Sequence, residues 1–123
     1  MKDITEDDFL SYLRAHVDEE MSSVVLHCVD QTTLEKLKGA GKIMGMVSKG
    51  GSLTSVYMLT NGCENPFIKN FEEIIEILRK KDGVLSLGNT MRSGCVHDFR
   101  DSAQMMEIET NVRLANRANE EGV

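Results

Sequence analysis

Three short stretches hold the residues with chemistry in them. His27 lies within the otherwise apolar run "SSVVLHCV", Ser22 to Val29. Ser48-Lys49-Gly50-Gly51-Ser52 closes a second apolar run, "KIMGMVS". The third, "LSLGNTMRSGC" from Leu85 to Cys95, breaks at Gly88 and passes to Asn89, Thr90, Met91 and Arg92. An imidazole can offer one ring nitrogen to a ligand while the other is held. A hydroxyl, a lysine and two glycines at a helix start expose N–H groups to an anion and let it approach closely. A guanidinium is a planar fork for phosphate or carboxylate. Each feature also has a plainer alternative: a core histidine, a glycine turn, a surface cation. The glycine stretch lacks the spacing of a Walker loop or a dinucleotide fingerprint.

The elements that would carry these residues alternate between helix and strand. Thr5 to Asp8 has capping-box spacing, and Phe9, Leu10, Leu13 and Val17 follow on one helical face. Ser22 to Val29 reads as a strand buried on both faces. Thr32-x-x-Glu35 opens a helix with Leu34 and Leu37 inward and Gly39 as its C-cap. Lys42 to Ser48 reads as the second strand, and the helix behind it has Leu53, Val56 and Tyr57 on one face. After the loop Asn61 to Pro66, Asn70 caps an amphipathic helix with Phe71, Ile74, Ile75 and Leu78 inward. Val84 to Gly88 is the third strand. Asp101 with Gln104 starts the last helix, whose stripe is Met105, Ile108, Val112 and Ala115.

Continuous apolar strands alternating with helices predict an α/β fold with a parallel sheet. About three parallel strands with flanking helices over residues 1–123 read as one partial domain, a piece of a (β/α)8 TIM barrel. "NEEGV" at the end resembles a helix cap running into a further strand. In such folds ligands sit at the carboxyl ends of strands. That rule selects His27, Ser48-Lys49-Gly50 and Asn89 to Arg92 together.

Composition narrows the function further. With 123 residues, 41% hydrophobic and 28% charged, the chain is of globular type. A net charge of −6 argues against nucleic acid as a partner. Apolar runs too short to cross a bilayer argue against a membrane, and an acidic, signal-free start predicts a cytoplasmic location. Cys28, Cys63 and Cys95 have neither disulfide-framework nor metal-motif spacing and read as reduced thiols. His97-Asp98 is a weak metal pair and reads as a solvated loop. No Ser-His-Asp set, HExxH motif or flanking carboxylate pair is present in recognisable context. The residues alone thus predict part of an α/β barrel that binds an anionic small molecule.

"VVLHCV", "IMGMVSKGGSLTSVYML", "NPFIKNFEEIIEILRKKDGVLSLG" and "RSGCVHD…DSAQMMEIETNVRLANRANEEGV" resemble the phosphomethylpyrimidine synthase (ThiC) family, in order and over nearly the full chain. The resemblance implies a (β/α)8 barrel using S-adenosylmethionine and a 4Fe-4S cluster, with zinc also bound. It implies radical rearrangement of aminoimidazole ribotide to the phosphorylated hydroxymethylpyrimidine of thiamine biosynthesis. Its substrate contacts carry over to His27, to Ser48-Lys49-Gly50 (usually Ser-Arg-Gly) and to Asn89-Thr90-Met91-Arg92 (usually Asp-Gly-Leu-Arg). It assigns this chain no catalytic residue and no metal ligand, because the family's zinc histidines and cluster cysteines match nothing here. The expectation is therefore a chain inactive alone, from a homodimeric parent. An amide at Asn89 in place of a carboxylate removes a charged hydrogen bond worth roughly 1.5–3 kcal/mol. That keeps open the paralogue 5-hydroxybenzimidazole synthase, which converts the same ribotide to a cobamide lower ligand. A free-standing phosphate-binding module and a non-catalytic remnant are the readings of another class.

Overall fold

The computed structural model describes residues 3–19 and 22–123. The elements are α1 (Glu6–Asp18), β1 (Ser23–His27), α2 (Gln31–Leu37), α3 (Lys49–Asn61), α4 (Pro66–Lys69), α5 (Phe71–Lys80), β2 (Val84–Gly88), a 3-10 turn (Val96–Asp98) and α6 (Ser102–Glu120). β1 and β2 pair in parallel, in register from Ser23↔Val84 to His27↔Gly88. The fold is thus mixed α/β, with helices flanking a two-stranded parallel sheet.

Local sequence explains most boundaries. Thr5 and Asp8 form the reciprocal capping box that starts α1. Gly62, at φ 60°, ends α3 in the left-handed region that favours glycine. The amphipathic stripe of α5 is buried as expected, through Phe71, Ile74, Ile75 and Leu78. α2 begins ahead of the expected Thr32 start, because Asp30 is the cap and accepts the Thr33 N–H at 2.7 Å.

The expected strand from Lys42 to Ser48 does not form. Gly45, within the run, and Gly41, just before it, take positive φ values of 59° and 68°, which break the extended backbone of a regular strand. The Ile43 and Met44 N–H groups donate instead to the Asp98 carboxylate, at 2.8 and 2.9 Å. Ile43 and Met44 side chains are consequently exposed. Apolar composition suited a strand, but a distant carboxylate claimed the backbone donors.

The sheet is also not covered on both faces. Val24, Leu26, Leu85 and Leu87 pack on a core built from α1, α5 and α6, with Leu10, Ile74, Leu78 and Leu114 at its centre. Alternation sends Ser23, Val25 and His27, with Val84, Ser86 and Gly88, to the opposite face. There Val25 and Val84 are each 59% exposed. A second cluster of Val29, Leu34, Met58, Met91 and Ala103 lies under the loops that follow the strands.

Two helix faces differ from expectation. In α6, Met105, Ile108 and Val112 are exposed, whereas Ala103, Glu107, Thr110, Leu114 and Ala118 are buried. In α3, Tyr57 is buried but Leu53 and Val56 are exposed. Both helices turn a face carrying hydroxyls or a carboxylate inward, because those groups bond to neighbouring backbone or side chains.

Candidate functional site

The carboxyl ends of β1 and β2 are adjacent, so the loops that follow them share one edge of the sheet. Register places His27 beside Gly88. A Cβ on Gly88 would lie 2.7 Å from His27 Cε1, and one on Gly50 would lie 2.7 Å from His27 Cδ2. The imidazole is held between two glycines. A Cβ on Gly51 would likewise meet Thr90 Cγ2 at 2.4 Å. The glycine pair at the start of α3 therefore admits His27 and Thr90, rather than leaving the open approach expected for a ligand.

Ser48 caps α3. Its Oγ accepts the Gly51 N–H at 3.2 Å and stands 3.2 Å from His27 Nε2 and 3.4 Å from Nδ1. Thr90 Oγ1 is 3.3 Å from His27 Nδ1. The Ser52 N–H bonds to the Ser48 carbonyl at 2.9 Å. The Lys49 and Gly50 N–H groups are then the ones α3 offers to an anion, beside the exposed Lys49 side chain.

Arg92 closes the cluster. Its guanidinium donates to the Asn89 carbonyl at 3.0 Å and to the Val47 carbonyl at 3.1 Å, tying the third loop to the second. Asn89 is exposed. Burial, and secondarily the Arg92 charge, hold the half-buried His27 below the usual imidazole pKa, so its neutral form is favoured. His27, Ser48, Thr90 and Arg92 thus come together at one edge, with Gly50 packed against the ring.

Met91 departs from its expected place. Its side chain is fully buried in the cluster beneath the loops, so only its backbone belongs to the site. The Met91 carbonyl accepts from Lys42 Nζ at 3.0 Å. The thioether packs as an apolar group because the loop needs an anchor into the core.

Several supporting residues carry no mark in the sequence. Both Glu107 oxygens accept backbone N–H groups at 2.7 Å, from Thr90 and Met91. Asp98, 1% exposed, is no solvated loop residue; the Ile43 and Met44 N–H groups it accepts hold it well below the usual carboxylate range. Lys42 pairs with Asp101 at 2.5 Å, both side chains being buried. Asn65 donates to the carbonyls of His27 and Val29 at 2.8 Å each, fixing the end of β1. Asn65 alone had a local signal, since asparagine ahead of Pro66 is a helix-start pair.

No group of three or more His, Cys, Asp or Glu side chains that could hold a metal ion occurs among the described residues. Cys28 is fully buried, and burial, with the Glu107 charge second, pushes its thiol up to about 12. A cluster ligand must be a thiolate, so Cys28 does not fit that role. No helix among the described residues is long and apolar enough to cross a membrane.

Comparison with known proteins agrees with the sequence resemblance. The family described as "Radical SAM ThiC family" matches residues 1–123. Phosphomethylpyrimidine synthase of Methanocaldococcus jannaschii is 38% identical over 122 residues, which is 98% of this chain and 29% of that protein. The Geobacter metallireducens enzyme of that name is 37% identical, over 98% of this chain and 28% of its own length. The Finegoldia magna enzyme is 36% identical over 124 residues, covering this whole chain and 29% of its own. The chain therefore spans under a third of the length of these relatives.

Proposed function

The chain belongs to the radical SAM ThiC family, and on that premise we propose that it forms the substrate-holding rim of a phosphomethylpyrimidine synthase barrel. In this role His27, Ser48, Lys49, Gly50, Asn89, Thr90 and Arg92, with the Met91 backbone, hold aminoimidazole ribotide. The observation that carries the proposal is the meeting of His27, Ser48 and Thr90 within 3.2–3.4 Å at the carboxyl ends of two parallel strands. Lys49, the Lys49 and Gly50 N–H groups and Arg92 supply the positive side of a phosphate site. The neutral His27 ring offers a lone pair or an N–H to a heterocycle.

The bare face carrying Val25 and Val84 supports a place in a closed barrel, where further strands would cover it. S-adenosylmethionine and an iron–sulfur cluster, with zinc, belong to the longer enzyme in this proposal. The cluster supplies the radical chemistry, and this segment binds and orients. A cytoplasmic homodimer acting on a small ribotide, with neither nucleic acid nor membrane as partner, completes it. The net charge of −6 supports that choice of partner.

Calorimetric titration of the longer protein with aminoimidazole ribotide tests the assignment. Saturable binding weakened by His27→Gln, Ser48→Ala and Arg92→Ala is expected. Binding indifferent to all three would overturn it. The 123-residue chain alone is expected to show no cluster-dependent cleavage of S-adenosylmethionine, and detecting such cleavage would refute its purely binding role.

One observation favours a second product. Thr90 places a hydroxyl 3.3 Å from His27 Nδ1, a contact glycine at that position would lack. With the amide of Asn89, this supports 5-hydroxybenzimidazole formation from the same ribotide. The mass of the product decides between the two.

A further inference from the structure

Asn65 is fully buried in the connection between α3 and α4, distant in sequence from either strand. Its side chain makes three hydrogen bonds to backbone. Nδ2 donates to the His27 and Val29 carbonyls at 2.8 Å each, and Oδ1 accepts the Phe67 N–H at 2.9 Å. These partners fix which way the amide faces: two acceptors on one side need the NH2 group, and one donor on the other needs the oxygen. An aspartate has the same shape but could not make this set.

The His27 carbonyl belongs to the open edge of β1. The Val84 N–H donates to the Ser22 carbonyl at 3.0 Å, so Ser22 addresses β2. Backbone groups alternate along a strand: Val24 and Leu26 also address β2, while Ser23, Val25 and His27 address the other edge. At the height of His27 that edge is taken by Asn65, whose two N–H groups stand in for the donors of an adjacent strand. Between the two bonded carbonyls lies Cys28, buried in the core beneath the sheet. Glu64 extends the same plug, its Oε1 accepting the Gln31 N–H at 3.0 Å and the Asn65 N–H at 2.7 Å. Side chains, rather than a strand, thus hold the exit of β1.

That held backbone decides where the imidazole stands. The His27 ring lies in a slot between Gly50 and Gly88, where a Cβ on either would come within 2.7 Å of it. Ser48 Oγ is 3.4 Å from Nδ1 and 3.2 Å from Nε2, and Thr90 Oγ1 is 3.3 Å from Nδ1. A shift of the strand end by about an ångström would drive the ring into a wall or forfeit these contacts.

We propose that Asn65 is a positioning residue for His27: its carboxamide replaces a neighbouring strand at the end of β1 and fixes the His27 backbone, so that the imidazole stays in the glycine slot at the rim. The consequence for binding rests on the ribotide assignment above. Being fully buried, Asn65 acts on a ligand only through His27.

Two substitutions in the longer protein test this. Asn65→Asp keeps the size and the Phe67 cap but turns the donor end into a carboxylate oxygen facing two carbonyls. Asn65→Ser keeps a capping hydroxyl on a side chain too short to reach them. The ring nitrogen signals of His27 in the ligand-free protein are expected to shift or broaden in both, with those of His16 and His97 unchanged. Ribotide affinity, read by calorimetry, should fall about tenfold to a hundredfold, the range for a buried group left unpaired. In a His27→Gln background the same substitutions should weaken binding by less, because positions that act through one another are not additive. A loss just as large in that background would overturn the proposal. So would native His27 signals in Asn65→Ser, a result that remains readable if Asn65→Asp fails to fold. Shifted His27 signals in a protein that binds no ribotide leave the positioning role standing and overturn the substrate assignment. Ribotide binding that depends on His27 but not on Asn65 does the reverse.

Discussion

Gly50→Ala sets two effects of known size against each other. Alanine in place of glycine in a helix ordinarily gains roughly 0.5–1 kcal/mol. At position 50 the added Cβ would lie 2.7 Å from His27 Cδ2 and 3.1 Å from Nε2. Carbon–carbon contact needs about 3.5 Å or more, so the ring must retreat by close to an ångström. Its other edge faces Gly88, where an added Cβ would likewise lie 2.7 Å from Cε1, so the ring has little room on that side. The ring would have to leave Ser48 and Thr90. Overpacking of this kind costs about 1–3 kcal/mol, and each lost hydrogen bond about 1 kcal/mol. The net expectation is destabilisation by about 2–4 kcal/mol, with weaker ribotide binding. Thermal melts of Gly50→Ala beside Gly39→Ala provide the assay, since the nearest atom to a Cβ on Gly39 is the Lys36 carbonyl at 3.9 Å. Gly39→Ala should melt at or above the native temperature. A Gly50→Ala protein as stable as native, with unaltered His27 ring signals, would refute the clamping of the imidazole by glycine.

A folded-state His27 held below its unfolded pKa makes the folded protein the poorer proton binder. Stability should therefore fall as pH drops below about 6.5, towards the lowered folded value, and His27→Gln should remove this part of the pH dependence in denaturant titrations. Asp98 is lowered too, by accepting the Ile43 and Met44 N–H groups first of all. Its contribution is present above its unfolded value of about 3.9 and disappears as pH falls further. Asp98→Ala should free residues 43–44, read as faster amide exchange there with β1 and β2 still protected.

The strand-end rule found the rim because it needs only strand order and polar residues after each strand. β1 and β2 announced themselves by valine and leucine bounded by glycine or polar residues, and α5 by its period. Residues 42–48 misled because apolar composition does not reveal where N–H groups go; their acceptor, Asp98, is 54 and 55 residues away along the chain. The α6 stripe misled for a related reason. An acid within a helix reads as a solvated position, and nothing near Glu107 in sequence marks its bond to a loop 16 and 17 residues earlier. Met91 was assigned by its neighbours in a motif, but only the outer two of its four residues, Asn89 and Arg92, are exposed, while Thr90 and Met91 are both fully buried.

Burying Glu107, Asp98 and the Lys42–Asp101 pair is costly unless each charge is fully bonded. Glu107 meets that condition with the Thr90 and Met91 N–H groups and Asp98 with those of Ile43 and Met44, while Lys42 is ion-paired with Asp101 and bonded to the Met91 carbonyl. An apolar replacement would leave buried N–H groups without acceptors, each loss costing about 1–3 kcal/mol. The sheet contributes little to this arrangement, since one of its faces is open. The rim's shape therefore depends on α6 and the 3-10 turn, which reach the loops from behind. Substitutions on the open face, at Val25 or Val84, should alter association before they alter the geometry around His27. Substitutions at Glu107 or Asp98 should do the opposite, although neither residue need touch a ligand.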